Sequence, residues 1–348
     1  TLAQRPMSDI PNQIVDTPIG SMGFKDFLDS DKSTTMSIVI LHEGDVVFEY
    51  YPNQQPYEKP IYWSATKALV AALVGILADR GQVDITQPIS HYLPRLEDSD
   101  YANITVRNLL DMAAGVNCPE EYFDQTSCYY KYSVTIGDGF WTQDSPNSPY
   151  DMLASLKPGI TAPQGTQYQY SGVNAFILSW LVEDIMNMPF QDAVSKEIWS
   201  KMGAESDASI LAPRYGVPIA HGGLLARSRD VARFGLLYTP SYTKISDSQI
   251  ISDRMIDLIL NDKNPNLTLK ANKAGQLPPD FSHSGYLWDA VYTNDDFYRG
   301  GWAGQGLLIN PTKDIVAVYT GYAIDPQESQ PDLLPILRQV LNNVFSNQ

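Results

Sequence analysis

Ser64-Ala65-Thr66-Lys67 is where residue types and spacing point most directly to chemistry. On a helix, positions i and i+3 share a face, so the Ser64 hydroxyl and the Lys67 amine would meet. A helix start offers N–H groups without partners and a partial positive charge, which favours an alkoxide or an oxyanion. A lysine stripped of water sheds its proton readily and can take one from a serine. Ala65, Ala68, Leu69, Val70, Ala72, Leu73, Ile76 and Leu77 make the following segment apolar nearly all round. They predict a buried helix over Ser64–Arg80, stopped by Gly81, which would supply that desolvation. Taken alone, S-x-x-K is common by chance, and Ser64 as an ordinary N-cap is the plainer reading.

Two further pieces give the tetrad company. Tyr170-Ser171-Gly172 precedes a helix beginning near Asn174. A phenol beside a cationic lysine is expected to have a lowered pKa and so to pass protons; the alternative is a buried tyrosine closing a pocket floor. Arg299-Gly300-Gly301-Trp302 lies ahead of the last hairpin. Consecutive glycines let a substrate lie against strand backbone, and Arg299 would hold a carboxylate or stabilise Tyr170; the alternative is a Gly-rich turn. The four histidines, His42, His91, His221 and His283, form no close motif and read as structural or surface residues. No G-x-S-x-G elbow occurs, which disfavours an α/β-hydrolase.

The elements that must position these residues are legible in outline. Met36–Tyr51 reads as a hairpin turning at Glu43-Gly44-Asp45, and Leu307–Ile309 with Ile315–Tyr319 as another around Asn310-Pro311. Tyr286–Thr293 reads as a strand. Thr105–Ala114, Asn174–Met186 and Asp230–Tyr238 read as helices, and Leu333–Phe345 as an amphipathic C-terminal helix. Between the first two helices, Gly115–Gln169 reads as one long irregular stretch, the kind that forms lids and pocket walls. Its aromatics, Tyr122, Phe123, Tyr129, Tyr130, Tyr132, Phe140 and Trp141, would line a cleft or make a local core. The predicted architecture is α/β (α+β): a sandwich with an antiparallel sheet from residues 1–83 and 212–348, and a mainly helical region over 84–211. The active site would lie in the cleft between them.

Composition narrows the partners. The 348 residues carry 24 Lys plus Arg against 40 Asp plus Glu, a net charge of −16. Nucleic acid and anionic membrane both call for a basic surface, so neither is expected. No apolar run is long enough for a membrane span. Cys118 and Cys128 are too few for a standard zinc site; they are either a disulfide closing a short loop or two unrelated buried thiols. A disulfide, with a chain that starts at Thr1 without Met, leans toward a periplasmic or secreted protein, a trimmed chain being the alternative. The triplets Asn103-Ile104-Thr105 and Asn266-Leu267-Thr268 match glycosylation acceptors, a pattern that chance also produces.

In their order and spacing, the three pieces resemble the serine hydrolases that share the penicillin-binding-protein and class C β-lactamase fold. The resemblance runs from about Met36 to Tyr322. Gly81-Gln82-Val83-Asp84, Ile89-x-x-Tyr92-Leu93-Pro94 and the segment from Ile104 to Gly115 are typical of that family. Within it, Glu121-Tyr122-Phe123-Asp124, Tyr170-Ser171-x-x-Asn174 and Gly304-Gln305 are most similar to the 6-aminohexanoate-dimer hydrolases and their carboxylesterase relatives. The resemblance implies Ser64, Lys67 and Tyr170 as catalytic residues. It implies an oxyanion hole from the Ser64 and Trp302 N–H groups, with Tyr122, Asn174, Arg299, Gly300 and Gly301 toward substrate. No metal or organic cofactor is implied. The expected reaction is acyl transfer through Ser64 to water, on a small ester or linear amide. Alternatives are a β-lactamase or D-Ala-D-Ala carboxypeptidase, and a catalytically silent receptor module. Gly172 replaces the asparagine of the lactamase second motif, and the third motif lacks its lysine and hydroxyl residue, which favours the esterase-type reading.

Overall fold

In a computed structural model, residues 2–267, 277–325 and 333–346 are described. The strands in chain order are β1 (Ile14–Thr17), β2 (Gly20–Gly23), β3 (Thr35–His42), β4 (Asp45–Tyr50), β5 (Ser209–Ile210), β6 (Leu224–Leu225), β7 (Phe281–Gly285), β8 (Trp288–Tyr292), β9 (Phe297–Gly301), β10 (Gln305–Asn310) and β11 (Ile315–Gly321). The helices are α1 (Phe24–Leu28), α2 (Lys67–Asp79), α3 (Val106–Leu110), α4 (Cys128–Ile136), α5 (Pro149–Ala154), α6 (Gly172–Met186), α7 (Phe190–Glu197), α8 (Ser228–Leu236), α9 (Asp253–Asn261) and α10 (Leu334–Val344). A seven-stranded antiparallel sheet runs in the order β4-β3-β11-β10-β9-β8-β7, so strands from both ends of the chain interleave at its centre.

Side chains alternate across a strand, and here both faces are covered, so the central strands are apolar throughout. Val39 and Leu41 of β3, Leu307 and Ile309 of β10, and Val316 and Val318 of β11 face a core shared with α2, α6 and α8. Ile38, Ile40, Leu308, Ile315, Ala317 and Tyr319 face the opposite core, closed by α1 and α10. α2 is buried on every side from Ala68 to Val74, and Gly81 (φ +69°) ends the segment just beyond its cap. Such a helix is held by packing at both faces, which makes it a rigid base for Lys67.

Several element boundaries differ from the sequence expectation. Trp63–Thr66 is a 3₁₀ turn, with α2 starting only at Lys67. Trp63 has φ +43°, a costly conformation for a bulky residue, immediately before the serine. α3 is one short turn capped by the Thr105 side chain, and Met112 (φ +53°) breaks any continuation to Ala114. The strand expected over Tyr286–Thr293 starts at Trp288, because Tyr286 and Leu287 both take positive φ in the β7–β8 turn. Gly115–Gln169 is not wholly irregular: it carries α4, capped by Ser127, and α5, capped by Ser148. Their apolar periodicity is short and aromatic-rich, which hides them. Of the aromatics there, Tyr129 and Tyr132 are buried in the main core shared with α2 and α6, whereas Phe123, Phe140 and Trp141 are exposed. Thr268 of the second glycosylation-like triplet lies outside the described residues. No helix among the described residues is long and apolar enough to cross a membrane.

Candidate active site

Ser64 stands on the 3₁₀ turn, and Lys67 is the first residue of α2. The three-residue spacing turns both inward, and Lys67 Nζ lies 2.8 Å from Ser64 Oγ. The amine also donates to the His221 carbonyl at 2.9 Å. Lys67 is fully buried. Burial pulls its ammonium down to about 7, opposed by the Glu120 carboxylate and assisted by the Arg299 cation. Near neutrality the amine is therefore partly unprotonated and has a lone pair for the Ser64 proton.

Tyr170 borders the site just before α6. Its hydroxyl bonds the Ser64 side chain and accepts from Arg299 Nη2 at 2.5 Å. The Lys67 amine lies 4.9 Å from the centre of the Tyr170 ring. The expectation of a lowered phenol pKa is overturned. Burial outweighs the Arg299 charge and holds Tyr170 well above the usual phenol range, so the group is a neutral O–H near pH 7.

Of the two roles expected of Arg299, its contacts agree with stabilising Tyr170 and not with a contact to substrate. It is buried, and its donors are committed inside the protein: Nε to the Ser64 carbonyl at 2.8 Å, Nη1 to the Leu287 carbonyl and to Asp289 Oδ1 at 2.9 and 2.7 Å, and Nη2 to Tyr170. It fixes the backbone of the serine and the hydroxyl of the tyrosine at once. Asp289 is partly exposed; its other oxygen accepts the Gly300 N–H at 2.8 Å. Gly301 allows the strand to press on the nucleophile turn, because a Cβ there would lie 2.3 Å from the Tyr62 carbonyl oxygen. No side chain larger than hydrogen fits against that backbone.

Asn174, expected toward substrate, is not among the described residues that line the cavity. It lies buried in the first turn of α6, its amide nitrogen 3.7 Å from Met112 Sδ, and does not reach the cavity. Tyr122 stands one step away from the cavity: its hydroxyl bonds the Glu120 carboxylate and its ring packs edge-on against Tyr129. Gly172, where lactamases carry asparagine, has a local reason. A Cβ there would lie 2.7 Å from both His221 Cδ2 and Tyr129 Oη. The His221 ring sits between the Tyr129 and Tyr132 hydroxyls, and burial together with Lys67 keeps it neutral.

A cavity of about 440 Å³ opens over these groups, lined by Ser64, Glu120, Tyr168, Tyr170, Leu277, Phe281, Ser284, Asp289, Gly300, Gly301 and Trp302. It therefore draws on the nucleophile turn, the sheet and the middle of the chain. Trp302 is half exposed and packs edge-on against Trp63 at 5.4 Å. Sequence reasoning missed Glu120 and Asp289. Glu120 Oε2 accepts the Gly172 N–H at 2.9 Å. Its position directly before the quoted Glu121-Tyr122 pair was a usable signal, as was a lone carboxylate inside the apolar β8. Cys118 and Cys128 form a disulfide, Cα–Cα 5.1 Å. It joins the start of α4 to a segment held to the tyrosine motif by Ser171 Oγ on the Cys118 carbonyl, 2.7 Å.

The chain was compared with known proteins. It is 26% identical over 298 residues, covering 85% of this chain and 74% of the relative, to a 6-aminohexanoate-dimer hydrolase of Paenarthrobacter ureafaciens. A solved structure described as a putative 6-aminohexanoate-dimer hydrolase from Bacillus anthracis superposes with TM-score 0.78 at 21% identity, covering all of this chain and 86% of the other. A family VIII carboxylesterase superposes with TM-score 0.63 at 16% identity, covering 91% and 92%. Those two show a shared fold. The beta-lactamase family model matches residues 24–321, so the chain belongs to the beta-lactamase family and is a hydrolase of that fold.

Proposed function

We propose that the protein is a serine hydrolase that cleaves small esters or linear amides through an acyl-enzyme on Ser64. The observation that carries this reading is the 2.8 Å approach of a buried, partly unprotonated Lys67 amine to Ser64 Oγ. Ser64 Oγ attacks the scissile carbonyl carbon as its proton passes to Lys67. The tetrahedral oxyanion is held by the Ser64 and Trp302 N–H groups at the cavity rim, each such donor being worth about 3–4 kcal/mol. When the bond to the leaving group breaks, Lys67 and the Tyr170 hydroxyl return the proton to the departing oxygen or nitrogen. Water then enters by the same route, and the acyl group leaves Ser64 as a carboxylic acid. Arg299 acts throughout as a positioning residue.

The 6-aminohexanoate-dimer hydrolase similarity supports a linear amide substrate and the carboxylesterase similarity an ester. Both need the same attack and differ in leaving-group protonation. The disulfide supports an oxidising, exported setting. The test is intact-mass detection of an acyl-enzyme over a panel of esters, linear amides and β-lactams, with Ser64→Ala alongside. We expect a mass increment on the unmodified chain alone. Wild-type p-nitrophenyl ester turnover by Ser64→Ala would overturn the assignment.

A further inference from the structure

The β7–β8 hairpin closes on two residues, Tyr286 and Leu287, between the paired Gly285 and Trp288. Both take positive φ, +54° and +62°. Two-residue loops with that twist ordinarily carry Asn-Gly, because bulkier side chains are strained there. A loop that neither residue favours persists only when its surroundings hold it. Here the end of α3 does so. Tyr286 N–H donates to Asp111 Oδ1 at 3.2 Å, and Leu287 N–H donates to the Leu110 carbonyl at 2.7 Å. That carbonyl is one of those a helix end leaves open. Asp111 is itself fixed: it is buried, and its other oxygen accepts from Arg107 Nε at 2.7 Å. Arg107 Nη1 also donates to the Tyr286 hydroxyl at 2.6 Å, and the guanidinium lies 4.3 Å from the centre of that ring.

The loop reaches the nucleophile in two steps. The Leu287 carbonyl accepts from Arg299 Nη1 at 2.9 Å, and Asp289, two residues further on, accepts from the same nitrogen. The turn therefore sets both acceptors of that nitrogen, and Arg299 in turn holds the Ser64 carbonyl and the Tyr170 hydroxyl. We infer that Asp111 is a positioning residue for the acylation of Ser64, acting through the β7–β8 turn and Arg299. The inference rests on the serine-hydrolase reading. It adds a residue remote from the substrate, since Asp111 is not among the described residues that line the cavity. Without its acceptor, Tyr286 relaxes toward negative φ. The Leu287 carbonyl then turns from Arg299, and the backbone of the serine loses part of its support.

The experiment measures the pre-steady-state acylation rate and KM on a short p-nitrophenyl ester for the unmodified chain, Asp111→Asn and Asp111→Glu, with urea unfolding alongside. Asparagine keeps the shape, removes the charge facing Arg107 and leaves one acceptor for two donors. Glutamate keeps the charge but carries the carboxylate one methylene past the Tyr286 N–H. If Asp111 served only to pair with Arg107, asparagine alone would do damage, and stability would record it. The positioning role makes both variants lose about tenfold or more in acylation rate, since small misplacements cost up to about 10²-fold. KM should stay within about twofold, because substrate binding is untouched. Leu287→Gly is then added to each variant, because glycine takes positive φ freely and keeps the carbonyl. It should restore the acylation rate by about threefold or more while lowering stability further, a buried leucine being lost. A purely structural role would move rate and stability in the same direction. An acylation rate that either folded variant keeps within about twofold of the unmodified chain, or a loss that Leu287→Gly deepens, overturns the inference and leaves the hydrolase reading standing. If one variant does not fold, the other decides. Absence of an acyl-enzyme in the unmodified chain overturns the hydrolase reading itself.

Discussion

Replacing Lys67 by arginine separates base chemistry from charge and hydrogen bonding. Burial lowers Lys67 from 10.5 to about 7. An unshifted lysine near pH 7 would be unprotonated in about one molecule in 3,000; at the shifted value about half are, a gain of about 10³ in base-competent enzyme. Arginine keeps a positive charge and can donate to Ser64 Oγ and the His221 carbonyl, but it does not deprotonate in proteins. Lys67→Arg should therefore lose about 10³ or more in acylation rate, with no recovery up to about pH 10. In the unmodified chain the base must be neutral, so acylation falls as pH drops through about 7 and levels off above it. Stability follows the same proton. The unfolded lysine holds it up to about pH 10.5 and the folded one only to about 7, so this group's penalty on folding is full below about pH 7 and disappears as pH rises to about 10.5. At about pH 7 that penalty is about 4 kcal/mol at most, partly offset by the two hydrogen bonds the amine makes. An isosteric Lys67→Met chain should accordingly be inactive yet more stable by about 1–3 kcal/mol. The assay is the pre-steady-state burst of p-nitrophenol from about pH 5 to 9, with urea unfolding alongside. A burst rate independent of pH across that range, or Lys67→Arg retaining a tenth of the activity, would refute the reasoning.

Other outcomes follow from the same geometry. Gly172→Asn, which restores the lactamase-type residue, should cost about 1–3 kcal/mol in urea unfolding, since a Cβ would lie 2.7 Å from buried His221 and Tyr129 atoms; a neutral effect would show that this pair moves aside. Arg299→Gln leaves Asp289 without its partner and Ser64 and Tyr170 without their clamp, for about 2–4 kcal/mol lost in thermal unfolding, discounted for the partial exposure of Asp289, together with a drop in kcat larger than any rise in KM. Cys118→Ser with Cys128→Ser opens a short covalent loop and should lower stability by about 2–3 kcal/mol, and reductant should lower the melting temperature of the unmodified chain but not of the double variant.

Local pattern revealed the parts of the fold that local physics determines. The alternating apolar strands, the all-round apolar α2 and the amphipathic α10 each need a partner surface, and their periodicity says so. α4 and α5 escaped because they are short, and their stability comes from Ser caps and contacts with distant residues. The break at Trp63 escaped because nothing in that residue's type calls for positive φ.

Ser64 and Lys67 could be paired from sequence because three residues on one turn meet whatever surrounds them. Their company could be named by order and resemblance. The tertiary structure alone decided what each group does there, because protonation depends on burial and on charges supplied from remote segments. Lys67 is driven toward neutrality by the helix core, Tyr170 is kept protonated by the same enclosure, and Arg299 is turned inward by Asp289, one strand away. Spacing along a chain carries proximity; the dielectric and the field at a point are set by everything packed around it.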